Sequence, residues 1–380
     1  MNNIIYLDGF STTRIAPEAL NSMMDVWQTP SNTGSPHILG ERSSQLVNQA
    51  KVEIASLIGA DPTELIITSG ATEANNIAIL GVCRASIRAN PRRNRIVISS
   101  IEHKAVSEAA LFLEREGFAV DILPVRRDGL IDLEIAKIII GDTTALVSVM
   151  LANNEIGTIQ PIKELAAICH DLGSFLHCDA AQAVGKIEID VFDLDVDYLS
   201  ISGHKIYGPC GVGVLYIAAG SLLPIPLVFG GGQQRGLRPG TIPVALIVGL
   251  GAACKVALNR LAIDAQHGIE LRNEFLTLSQ KAGLNLETVL NDLEQTIPGS
   301  LSIKLNGYDA EDIVRRLSTA ICLSTGSACT SGSIQPSHVL SSIGLNMQEA
   351  SSVLRLFFGR FNDVEEVEIT VRKLTEIMKT

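Results

Sequence analysis

Seven short apolar runs, most of them separated by segments with a helical period, limit what this chain can fold into. They are "LIITS" (65–69), "RIVISS" (95–100), "AVDILPV" (119–125), "ALVSVM" (145–150), "FLHCD" (175–179), "YLSIS" (198–202) and "GVGVLYI" (211–217). Such runs are largely continuous, as expected of strands buried on both faces. The intervening segments include amphipathic patterns such as "HKAVSEAALFLEREG" and "PIKELAAICHDLG". This alternation predicts an α/β fold, a mostly parallel seven-stranded sheet between helices. Sites in such sheets lie at the carboxyl ends of the strands. Upstream, residues 41–59 place Leu46, Val47, Ala50, Ile54, Leu57 and Ile58 on one helical stripe, with Gly59 as the stop and Pro62 beyond it.

The 380 residues exceed what one compact core usually holds. Strand density falls after about residue 260, and helical patterns near 261–282 and 308–317 suggest a smaller α+β domain. We therefore expect a large domain over 15–260 and a small one built from 1–14 and 261–380. The net charge of −11 argues against a nucleic-acid surface, which needs Lys and Arg in excess. The first residues have no basic segment leading into a long apolar stretch, so no signal peptide is expected. "VALIVGLGAACKVAL" (244–258) is too short to span a bilayer and is expected as a buried core helix. The seven cysteines (83, 169, 178, 210, 254, 322 and 329) are scattered without C-x-x-C spacing. Neither a metal site nor a disulfide framework is expected, and a reducing cytoplasm is the simplest setting.

Four strand ends carry chemistry. "LIITSGATEANN" runs through Gly70, Ala71 and Thr72 into a helix start, which suits an anion or an ordinary capping box equally. "FLHCDAAQAVG" ends a strand at Asp179, where a carboxylate needs a partner such as a cationic ring nitrogen, or serves as a helix cap. "SSIEHKAV" supplies His103, which alone is as compatible with a structural role as with a chemical one. "YLSISGHKIYGP" supplies Lys205 beside His204 and between glycines. A lysine there is either a surface turn residue or an amine made nucleophilic by burial and neighbouring charge. Taken together, an amine for an aldehyde, an acid for a pyridine nitrogen and a helix start for a phosphate describe a pyridoxal phosphate site.

"SGATEANN", "SSIEHKAV", "VSVMLANNEIGTIQPI", "HCDAAQAVGKI", "SGHKIYGPCGVG", "GGGQQRGLRPGT" and "STGSACTSGSIQPSHVL" follow one another along the chain. In this order they resemble the NifS/IscS-like cysteine desulfurases of the class-V aminotransferase group. The resemblance implies a fold-type I pyridoxal phosphate enzyme, usually a homodimer, that takes sulfur from L-cysteine, leaves L-alanine and holds the sulfur as an enzyme persulfide. Carried over to this chain, it makes Lys205 the lysine linked to the cofactor and Asp179 the partner of the pyridinium nitrogen. Gln182 bonds the ring hydroxyl, and His103 stacks on the ring and moves protons. Ala71, Thr72, Ser202 and His204 hold the phosphate, and Thr241 reaches it from the partner subunit. Asn154 and Arg355 contact the substrate carboxylate, and Arg355 offers a bidentate fork. Cys329, in a polar segment rich in small residues, becomes the sulfur-accepting nucleophile. A sulfur-acceptor protein such as an iron–sulfur scaffold is the implied partner; neither nucleic acid nor membrane is.

The chain departs from the family's pattern in two places. "DGFSTTR" (Asp8–Arg14) stands where relatives have "DNAATTP", and "RPGT" stands for "RSGT", with Pro239 stiffening the turn. The longer C-terminal tail by which some relatives dock a scaffold is not seen, which leaves the acceptor open. Two alternatives remain at this level. Another enzyme of the same fold, a selenocysteine lyase or an aminotransferase, would share Lys205, Asp179 and His103, although an aminotransferase has no use for Cys329. A degenerate, non-catalytic subunit would need neither Lys205 nor Cys329.

Overall fold

The computed structural model of the chain describes residues 4–325 and 337–379. All seven apolar runs form strands of one sheet: β1 (Leu65–Thr68), β2 (Arg95–Ser99), β3 (Ala119–Leu123), β4 (Thr144–Ser148), β5 (Phe175–Asp179), β6 (Tyr198–Ser202) and β7 (Gly213–Ile217). Their order is β1-β7-β6-β5-β4-β2-β3. Neighbours from β6 across to β3 pair in parallel, and β7 runs antiparallel to both β6 and β1. One apolar cluster lies on each face of this sheet. That is why β4, β6 and β7 are buried at every position and read as unbroken apolar runs.

Helices follow the amphipathic segments. The stripe expected over 41–59 is the helix Ile38–Ile58, closed by Gly59 in the left-handed conformation (φ 70°). "HKAVSEAALFLEREG" becomes Lys104–Arg115 and "PIKELAAICHDLG" becomes Ile162–Asp171. One expectation is corrected. The apolar stretch 244–258 and the helical pattern 261–282 are a single 38-residue helix, Val244–Lys281. By length and composition this helix could cross a membrane. Its small residues instead fit it closely against two other helices. A Cβ on Gly249 would fall 2.5 Å from Met23, and one on Gly251 would fall 2.7 Å from the Ala50 Cα. The far half of the helix packs, through Leu271 and Phe275, on a second core. That core also covers a three-stranded sheet of Leu286–Thr288, Ser300–Leu305 and Val353–Phe357, and the helix Val364–Met378. Ile5–Tyr6 pairs in parallel with Ile321–Cys322.

A polar line crosses the middle of the main sheet. His177 on β5 is fully buried between the hydroxyls of Ser148 (2.8 Å) and Ser200 (2.9 Å) on the adjoining strands. Burial, opposed by the nearby Asp179 charge, pushes its pKa down to about 4. The unfolded chain, with an ordinary histidine, binds this proton about 300-fold more tightly, so stability contributed by neutral His177 is present above about pH 6.5 and is lost as pH falls toward 4. Between pH 7 and pH 5 the loss is on the order of 2 kcal/mol. Urea denaturation at these two pH values should show a smaller difference for His177→Asn than for the wild type. An equal difference would mean that the ring is not held neutral.

Candidate active site

The carboxyl ends of β1, β2, β4, β5 and β6 open into one cavity of about 580 Å³. The register of β5 on β6, with Asp179 opposite Ser200, brings the Asp179 carboxylate to the same edge as the turn that follows Ser202. That turn joins the antiparallel strands β6 and β7 and carries Lys205 in a single 3₁₀ turn, Gly203–Lys205. Glycine is required at 203, where a Cβ would stand 2.8 Å from the Pro209 carbonyl oxygen. The Lys205 amine donates to the backbone carbonyls of Phe10 and Ser11. The divergent segment Asp8–Arg14 is thus part of the site, and it meets Lys205 through backbone atoms.

Asp179 is 5% exposed. Its two oxygens accept from Asn75 Nδ2 at 2.7 Å and from the Ala181 amide at 3.0 Å. Gln182, one turn on, donates to the Phe10 carbonyl at 2.9 Å, and its Oε1 is buried without a hydrogen-bond partner among the described residues. Ser202 ends β6, and His204 engages the Thr12 hydroxyl through Nδ1 at 3.0 Å. Burial, together with the charges of Lys205 and Lys186, pushes His204 down to about 4, so its ring is neutral.

The helical run that begins at Ala71 starts after Gly70, whose φ of 153° suits glycine. A Cβ on Gly70 would project into the cavity with only the Ser202 Oγ, at 3.9 Å, nearby. The first amides of a helix have no acceptor within it, so Ala71 and Thr72 present donors here. No side chain caps this helix start; Glu73 folds back on it instead. It accepts from the Ser69 amide at 2.5 Å and takes a two-pronged contact from Arg238 at 2.8 and 3.1 Å. Burial raises the Glu73 pKa, and these hydrogen bonds outweigh it. Arg238 and Gln234, which bonds the N–H and C=O of Ile67 on the edge strand β1, fasten the segment that leads to Thr241.

His103 caps the helix Lys104–Arg115. Its Nδ1 accepts from the Ala105 amide at 3.1 Å, which leaves the proton on Nε2. Burial lowers its pKa, Asp179 opposes the shift, and Lys205 adds to it. Arg355 enters from the small sheet and is 4% exposed. It donates to Asp8 (2.8 Å), to the Ser11 hydroxyl (2.8 Å) and to the Asn154 carbonyl (2.8 Å), while its Nε has no partner among the described residues.

Ten of the residues expected from sequence therefore line one cavity: Ala71, Thr72, His103, Asn154, Asp179, Gln182, Ser202, His204, Lys205 and Arg355. Thr241 does not. It is exposed, on the loop before the helix Val244–Lys281. Cys329 lies outside the described residues. Of the other thiols, Cys178 is buried, Cys322 is partly buried, and Cys210 is exposed on the cavity wall. Three buried polar residues went unassigned in the sequence. Asn75 holds Asp179. Glu102 accepts from Ser99 at 2.5 Å and from the Met150 amide at 2.9 Å, and burial pushes it up to about 8. Lys186 sits behind the Lys205 turn. All three lie inside the quoted motifs, but only their burial shows what they do.

Residues 5–369 match the family model for class-V aminotransferases. The chain is 44% identical to a probable mitochondrial cysteine desulfurase of Dictyostelium discoideum, over 97% of this chain and 82% of that one. It is 42% identical to the cysteine desulfurase IscS of Rickettsia bellii, over 98% and 91%. A solved structure described as a NifS-like protein superposes with a TM-score of 0.90 at 33% identity, covering 99% of both chains.

Nitrogen NMR of selectively labelled histidine should find the His103 ring neutral at pH 7, protonated on Nε2, with a midpoint below the ordinary value of about 6.5. A midpoint above that value would contradict this geometry.

Proposed function

This chain belongs to the class-V aminotransferase family and is a pyridoxal 5'-phosphate-dependent cysteine desulfurase, and on that premise we propose which of its residues carry the reaction. The cavity suits the cofactor on two observations. Gln182 Oε1 is a buried acceptor that a ring hydroxyl would satisfy. The space above Gly70, beside Ser202 and the helix start, is open where a Cβ would stand and is lined by donors suited to a phosphate. Lys205 would hold the cofactor covalently, Asp179 would face its ring nitrogen, and Ala71, Thr72, Ser202 and His204 would hold its phosphate. When bound, the cofactor supplies an electron sink for negative charge developing on the substrate.

The chain's own residues do the rest. Arg355 and Asn154 orient the L-cysteine carboxylate. Asp8 and Ser11 fix the Arg355 fork. His103, neutral and protonated on Nε2, and the Lys205 amine move protons at the substrate. The Asn75 and Ala181 donors keep Asp179 aimed. The Cys329 thiolate takes the substrate sulfur, forming a Cys329 persulfide as the carbon–sulfur bond breaks, and the remaining carbon takes up a proton to leave as L-alanine. The persulfide then passes to an acceptor protein, for iron–sulfur cluster assembly or another sulfur-requiring synthesis. Thr241, outside its own cavity, would reach the phosphate of a partner subunit in a homodimer. A reducing compartment, the cytoplasm, would keep Cys329 available. We also propose that residues 15–260 form the cofactor-binding domain, and 1–14 with 261–380 the small one. The pairing of Ile5–Tyr6 with Ile321–Cys322 supports that grouping, and the boundary then crosses the helix Val244–Lys281.

The convergence of Lys205, Asp179 and the Gly70 helix start in one cavity carries this reading. Purified protein given L-cysteine should be yellow and release alanine and sulfide in the presence of a reductant. Lys205→Ala should lower turnover by about a thousandfold or more. Cys329→Ala should keep the colour and lose sulfide release. Ordinary desulfuration by either variant would overturn the assignment of that residue.

A further inference from the structure

Lys186 is 7% exposed, and no carboxylate among the described residues pairs with it. Its amine donates instead to two backbone carbonyls, those of Gln182 at 3.0 Å and Lys205 at 3.1 Å, and lies 5.7 Å from the centre of the Phe357 ring. Both carbonyls belong to residues assigned above to the cofactor. A buried lysine without a counter-ion is costly, and an apolar side chain would fill the space at lower cost.

Among the described residues, the groups packed around this position add no negative charge. The Lys205 turn brings Lys205 and the neutral His204. The strand Val353–Phe357 presents the Phe357 ring, and the helix Val244–Lys281 presents Ala257 against the neighbouring Gly185. Burial, and then the Lys205 charge, push the Lys186 pKa down to about 7.

We propose that Lys186 is a positioning residue for Lys205: its amine ties the Gln182 turn to the Lys205 turn. The tie fixes the spacing between the residue that bonds the ring hydroxyl and the residue that holds the cofactor. This inference rests on the reading of Lys205 above.

The test is a pH titration of the visible absorption band of the full-length holoenzyme, for the wild type, Lys186→Met and Lys186→Gln. Methionine removes the tie; glutamine keeps a donor for the carbonyls. The methionine variant should shift the midpoint and lose the cofactor about tenfold faster on dilution, and the glutamine variant should restore both toward the wild type. Should the methionine variant not fold, Lys186→Ala takes its place in the comparison. A covalent link to Lys205 with the same midpoint in every protein would overturn the role of Lys186 alone. A wild-type protein that binds pyridoxal phosphate with no link to Lys205 would overturn the reading of Lys205 and this inference with it.

Discussion

The pairing of β5 with β6 is the constraint on which the site depends. Cys178 lies opposite Leu199, and Asp179 opposite Ser200. A slip of one residue would turn Asp179 to the other face of the sheet and displace it from the Lys205 turn. The register is held by burial on both sides and by the line Ser148–His177–Ser200, which crosses three adjacent strands. A polar line in an apolar sheet discriminates against slipped pairings, since any slip leaves the imidazole without partners. The antiparallel return of β7 then closes the Lys205 turn beside Gly70: a Cβ on Gly213 would fall 2.6 Å from the Gly70 Cα.

Within that frame, electrostatics divides the labour. The Asp179 carboxylate takes two neutral donors, and the nearby Glu102 is pushed toward its protonated form. Lys205, Arg355 and the neutral imidazoles of His103 and His204 share the cavity wall, where Arg238 offsets the charge of Glu73. This balance suits a site that receives a phosphate and a carboxylate, even though the chain as a whole carries −11. The small sheet contributes through Arg355, which is bound at once to Asp8, Ser11 and Asn154 and so ties both parts of the chain to one cavity wall.

The strands were legible because burial on both faces erases alternation and leaves runs such as "YLSIS" and "FLHCD". The Lys205 turn was legible because lysine between glycines is out of place on an ordinary surface. The long helix was divided too early because Lys255 and Arg260 interrupt the apolar stripe, and the close approach that Gly249 and Gly251 allow has no signature in periodicity. Asn75, Glu102 and Lys186 are ordinary polar letters whose roles come from partners far along the chain. The altered segment Asp8–Arg14 meets Lys205 and Gln182 through backbone carbonyls, which nearly any residue supplies, so its departure from the family's letters was a poor guide to its place.

On the proposed reading the cofactor is held by Lys205 and by no other lysine, with Lys186 close by as the alternative amine. Borohydride reduction of the holoenzyme followed by peptide mapping tests it directly. The account predicts one reduced cofactor per chain, on the peptide that contains Lys205. A label on Lys186, or on a lysine outside the cavity, would contradict it.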